Sequence, residues 1–183
     1  ITITSLLLSP IASAHMGANH IHNSLSDGLN HPFSGLDHLT VLFSIGVMAN
    51  YLKDVKKSAI MVATTILVML SGLYLGSVLP GSPGIEILVT ASIFITAISL
   101  WNQVKVGNTA TKTILNVVSV SFMLFHGWAH GVEFNGLNLP LFSLGMCVSS
   151  VLIMTVGYFV ARSLPAKSLT KTAAICGVIV AFT

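Results

Sequence analysis

The seven histidines of this 183-residue chain fall into three short clusters. The clusters are His15, His20 and His22; His31 and His38; and His126 and His130. Two of the five acidic residues, Asp37 and Glu133, lie in the same motifs as the second and third clusters. Imidazole and carboxylate groups at the edges of apolar segments are typical ligands of divalent transition metals. The pattern therefore predicts a metal site that contains His31, Asp37, His38, His126, His130 and Glu133.

The third cluster has helical spacing. His126, His130 and Glu133 occupy positions i, i+4 and i+7, which lie within about 60° of one another on an α-helix. Two imidazoles and a carboxylate would therefore project from one face of the helix. Gly127 and Gly131 remove bulk beside these residues and would let a neighbouring helix approach closely.

The second cluster predicts a helix that starts near its first histidine. His31 and His38 are seven residues apart, and Pro32 suits the first turn of a helix with His31 just before it. Asp37 would point about 100° away from His38, so that it either binds a metal directly or orients a ligand histidine.

The three histidines of the first cluster either capture metal as accessory groups or belong to a solvated leader.

The composition predicts an all-α integral membrane protein. The chain is 54% hydrophobic and 7% charged, whereas soluble domains have about 25% charged residues. A spanning helix needs about 20 apolar residues, and a bundle of about six such helices is expected. The last segment is too short to span, so the chain is expected to be truncated there. The segments are Leu36–Leu52, Ser58–Leu79, Ile85–Trp101, Thr113–His130, Leu139–Ala161 and Thr172–Thr183.

The N-terminal region predicts a signal peptide. An apolar run at residues 6–8 is followed by Ala12-Ser13-Ala14, which suits a cleavage site. The expected organisation is a cleaved signal peptide at 1–14, an extracytoplasmic histidine-containing leader at 15–30 and a transmembrane domain at 31–183. The alternative is a short first helix that is not removed.

The basic residues predict the orientation. All eight Lys and Arg lie in the polar segments 51–57, 102–112 and 162–171, which alternate crossing from an outside N-terminus places in the cytoplasm. Both histidine motifs would then lie at the outer ends of the first and fourth spans. The bases are scattered over these loops, so a nucleic-acid partner is not expected.

The motif His31-x5-Asp37-His38, together with the run from Phe125 to Glu133, resembles the two signatures of the HupE/UreJ family. This resemblance implies a multi-pass secondary permease of the bacterial inner membrane, in a family often linked to hydrogenase or urease. Its transported substrate would be Ni²⁺ as first candidate, or Co²⁺, and no organic cofactor is expected. A homo-oligomer or a further subunit stays open.

Three other interpretations stay open from the sequence. One is a membrane metalloenzyme, but no surplus catalytic base accompanies the candidate ligands, and we expect no enzymatic activity. Another is a haem-binding electron carrier, which would not need acidic residues beside its histidines. The third is a metal sensor or assembly factor that does not transport.

Overall fold

The computed structural model describes residues 25–104, 108–134, 136–164 and 166–181, and these residues form helices but no β-strand. His15, His20, His22 and the predicted signal peptide lie outside the described residues. Residues 25–30, which the sequence assigns to the leader, form the first part of α1. The helices are α1 (Leu25–Ser34), α2 (Leu36–Tyr51), α3 (Val55–Val78), α4 (Pro83–Val104), α5 (Thr109–Ser121), α6 (Met123–Glu133), α7 (Leu139–Val160) and α8 (Ala166–Ala181).

The prediction of a helical membrane protein is confirmed. Three of the described helices are long and apolar enough to cross a bilayer: Val55–Val78, Gly84–Gln103 and Leu139–Val160. A fourth span results if α1 and α2 are counted together as one bent segment. The number of six spans and the signal peptide stay predictions.

The first histidine motif is divided between two helices, so the prediction of one helix that begins at Pro32 is wrong. Gly35 separates α1 from α2 with an extended backbone (φ −106°, ψ 125°), and the two helices meet at 86°. Any residue accepts these angles, but a Cβ atom at position 35 would lie 2.5 Å from Asp37 Oδ1, so glycine leaves room for that carboxylate. Ser34 Oγ donates to the carbonyl of His31 at 2.6 Å and so satisfies one of the last carbonyls of α1. Pro32 therefore lies in the last turn of α1.

The predicted fourth span consists of α5 and α6, which are separated by Phe122. The backbone there stays near helical angles (φ −67°, ψ −15°), and the amide of Phe125 donates to the carbonyl of Phe122 at 3.0 Å. An i→i+3 bond of this kind tightens the turn. The second histidine motif thus lies on the short helix α6.

Helix α2 forms the centre of the bundle. Residues 44–50 are all buried, and α2 packs against α3, α4, α7 and α8. A helix that is apolar on every side is typical of a protein core or of a membrane span. His38 lies near the start of this central helix, so its side chain enters the interior of the bundle.

Helix α6 crosses α3 at two pairs of glycines. A Cβ atom at Gly127 or Gly131 would overlap the carbonyl oxygen of Met69 or Leu73 on α3, and Gly72 and Gly76 of α3 are equally close to α6. The close helix approach predicted for Gly127 and Gly131 is therefore present. Because the glycine face of α6 lies on α3, its histidine face is directed elsewhere in the bundle.

Helix α7 also packs closely against α1 and α2, again through glycines. A Cβ atom at Gly28 of α1 would overlap the carbonyl oxygen of Phe142, and one at Gly46 of α2 would overlap that of Met154. The bend at Gly35 therefore lets both helices lie against α7. This arrangement brings the end of α1 to the histidine face of α6.

Candidate metal centre

Four histidines form a row of contacts that joins α1, α2 and α6. His31 Nε2 lies 2.6 Å from His130 Nδ1, and the other nitrogen of His130 contacts His38 Nε2. His38 Nε2 lies 3.4 Å from His126 Nδ1. The structure thus brings together histidines that are up to 99 residues apart in the chain.

The two predicted carboxylates flank this row. Asp37 Oδ1 lies 3.1 Å from His38 Nδ1, and Glu133 Oε2 lies 3.5 Å from His130 Nδ1. All six residues named from the sequence therefore meet in one cluster. Asp37 contacts the nitrogen of His38 that faces away from the other histidines, which is the position of a residue that orients a metal ligand.

The cluster extends from the surface into the interior. The side chain of Glu133 is 46% exposed, whereas His126 is fully buried. His126 contacts Ser92, which lies nine residues after the start of α4 and therefore about 14 Å along that helix. Gly81 in the loop between α3 and α4 packs against Val132, so the exposed end of the cluster lies at the α3–α4 loop.

Helix α7 fixes the position of His31. The His31 ring packs edge-on against the ring of Phe142 at a centroid distance of 5.3 Å, and Gly28 lies on the backbone of the same residue. Edge-to-face rings at this distance attract each other. The position of His31 in the cluster therefore depends on the packing of α1 against α7. The spacing of the motif along the chain does not predict this packing.

Ser92 is a member of the cluster that sequence reasoning missed. It is fully buried, and its Oγ lies 2.6 Å from His126 Nε2 and 2.5 Å from the carbonyl oxygen of Val89. A hydroxyl has one proton, and the carbonyl of Val89 can only accept it. Ser92 Oγ must then accept the N–H of His126 Nε2, which leaves the lone pair of Nδ1 directed toward His38. Nothing in the local sequence distinguishes Ser92 from the many other serines in apolar helices.

Replacing Ser92 by alanine should weaken metal binding by about 10–100-fold, the usual cost of losing a group that orients a ligand histidine. Ser92→Thr keeps the hydroxyl and should retain most of the affinity. The measurement is equilibrium dialysis of the purified protein against Ni²⁺. Ser149→Ala is the matched control, because Ser149 is equally buried and its hydroxyl bonds to its own helix. Equal affinities for Ser92→Ala and Ser149→Ala would show that Ser92 does not orient His126.

Fold and cluster together define a helical membrane protein with a buried set of imidazole and carboxylate groups that could hold a metal ion. The family model described as "HupE / UreJ protein" matches residues 3–183. The chain therefore belongs to the HupE/UreJ family, which is associated with nickel and cobalt transport for hydrogenase and urease. The family is one of accessory permeases and not of catalytic enzymes.

A curated relative agrees with this assignment. The chain is 29% identical over 157 residues to Protein HupE of Rhizobium leguminosarum bv. viciae. The match covers 85% of this chain and 78% of that protein. No solved structure matches the chain.

Proposed function

We propose that this protein is a secondary permease that imports a divalent transition metal ion, Ni²⁺ as first candidate or Co²⁺, through the cluster of His31, Asp37, His38, His126, His130 and Glu133. The observation that carries the proposal is the continuous row of ligand groups from an exposed carboxylate to a fully buried imidazole. Ionisable residues inside a membrane are costly and typically mark the path of an ion. Membership of the HupE/UreJ family supports the same conclusion.

The ligand chemistry suits these ions. Imidazole binds nickel and cobalt well, and a carboxylate offsets part of the charge of the cation. Each histidine must be neutral to bind the metal, so protons compete with the ion. We infer a cycle in which the ion is captured, partly dehydrated, exchanged between ligands and released.

The direction of transport follows from the predicted orientation. The Lys and Arg residues lie in segments assigned to the cytoplasm of a bacterium, and the α3–α4 loop is assigned to the outside. The exposed end of the cluster lies at that loop. The ion would therefore enter the cluster from outside the inner membrane. His15, His20 and His22 would precede the bundle on the same side, where they could gather scarce metal.

Expression of this protein in bacterial cells that lack other nickel and cobalt importers should raise the uptake of radioactive Ni²⁺ or Co²⁺. His38→Ala should reduce this uptake to the background at every concentration, because His38 contacts two other histidines at the centre of the cluster. Val132→Ala is the control, since Val132 is a partly exposed residue of α6 next to Glu133.

Equal amounts of each variant in the membrane must be verified by immunoblotting. Undiminished uptake by His38→Ala would contradict the proposed site. No uptake of either metal by the unmodified protein would contradict the proposed function.

A further inference from the structure

We infer that the cluster contains two metal stations that are used in turn and that share His130. The inference rests on the proposed function, because it assumes that the ligand is a transported divalent metal ion. It adds an order of events to the six residues: an outer station receives the ion, and an inner station takes it over through the other nitrogen of the same imidazole.

The outer station consists of His31, His130 and Glu133. One ligand atom from each of these residues lies within 4.8 Å of the other two. Two nitrogens that are each about 2.1 Å from an ion are at most about 4.2 Å apart, so side-chain movements of about half an ångström would close this set on an ion. The half-exposed carboxylate of Glu133 makes the outer station accessible to a hydrated ion.

The inner station consists of His38 and His126, completed by Nε2 of the shared His130, with the Asp37 carboxylate beside His38. Ligand atoms of Asp37, His38 and His126 also lie within 4.8 Å of one another. His38 and His126 are both buried, so an ion here must have lost most of its water. Ser92 and Asp37 hold the outward-facing nitrogens of these two rings. His38 Nε2 and His126 Nδ1 therefore face the same space.

His130 connects the two stations. Its Nδ1 faces His31 and Glu133, and its Nε2 contacts His38. A neutral imidazole binds a metal through one nitrogen while the other nitrogen carries the proton. When the ion passes from Nδ1 to Nε2, the proton must therefore pass from Nε2 to Nδ1, where His31 Nε2 or the Glu133 carboxylate accepts a hydrogen bond. His130 can then serve only one station at a time.

The two stations have the same kinds of ligand. Both are built mainly of imidazole nitrogens with one carboxylate beside them, Glu133 in the outer station and Asp37 in the inner one. An ion that is transported must bind strongly enough to enter the protein and weakly enough to leave it. Several binding sites in succession satisfy both conditions. Two stations of similar composition but different exposure meet this requirement.

The test is a titration of the purified protein with Co²⁺, followed by its visible d–d absorption and by equilibrium dialysis. The unmodified protein should bind one ion per chain. The double variant H31A/E133Q should retain one ion at the inner station, and His126→Ala should retain one ion at the outer station with a different spectrum. His130→Ala should weaken binding by more than 100-fold. Each single-station variant should bind the ion yet lose uptake in cells.

Circular dichroism and size-exclusion chromatography would confirm that each variant is folded, and His126→Gln can replace His126→Ala if the latter is not. Two ions bound at once to the unmodified protein would overturn the sharing of His130. Loss of all binding in both single-station variants, or full uptake by H31A/E133Q, would show that there is one site. Failure of the unmodified protein to bind Co²⁺ or Ni²⁺ would instead overturn the proposed function.

Discussion

His130→Ala should abolish metal uptake at any concentration of Ni²⁺ or Co²⁺. Its ring touches both neighbouring histidines in the row and lies near the Glu133 carboxylate, so it connects the outer residues His31 and Glu133 to His38. Loss of a group that merely orients a ligand costs about 10–100-fold in affinity, and loss of this ring should cost more. The measurement is uptake as a function of metal concentration in cells with equal amounts of protein.

The shape of the uptake curve distinguishes His130 from a residue that only gathers metal. Substitution of a gathering residue should raise the concentration needed for half-maximal uptake and preserve the maximal rate. Substitution of His130 should abolish uptake even at saturating metal concentration, because the ion then lacks a ligand at the point where it loses its water. Recovery of the full rate at high metal concentration would mean that His130 lies outside the path of the ion.

Gly127→Val should prevent the folding of most of the protein or lower its thermal unfolding temperature strongly. The new side chain would overlap the backbone of Met69, and a backbone atom of a packed helix cannot move aside as the end of a flexible side chain can. Overpacking typically costs about 1–3 kcal/mol and sometimes more. Helices α3 and α6 would separate, and His126 and His130 would move with α6. The measurement is the unfolding midpoint and the monodisperse fraction of the detergent-solubilised protein.

Gly84→Ala is the control for this experiment. Among the residues that the structure describes, a Cβ atom at Gly84 would meet Ser82 Oγ alone, at an ordinary contact distance of 3.5 Å. The control protein should therefore unfold near the temperature of the unmodified protein. Equal unfolding midpoints for Gly127→Val and the unmodified protein would contradict the importance of the α3–α6 crossing.

Several features could be predicted from the sequence because they depend on local composition or on spacing within one helix. The scarcity of charge predicts a membrane protein, and the structure has helices long enough to span a bilayer. The spacing of His126, His130 and Glu133 predicts one helical face, and these residues do lie on α6. The alternation of polar loops also predicted that the two histidine motifs could meet in space, and His38 does contact His130.

Tertiary structure decided how the cluster is assembled. Pro32 suits the start or the end of a helix, and only the packing of α1 and α2 against α7 placed it before a bend of 86°. Ser92 became part of the cluster because α4 lies beside α6, a relation that no spacing along the chain contains. Residue types and their periodicity determine which face of a helix is polar. The order of the ligand groups from Glu133 to His126 depends instead on the distances between helices. Those distances result from the glycine crossings and the buried core around α2.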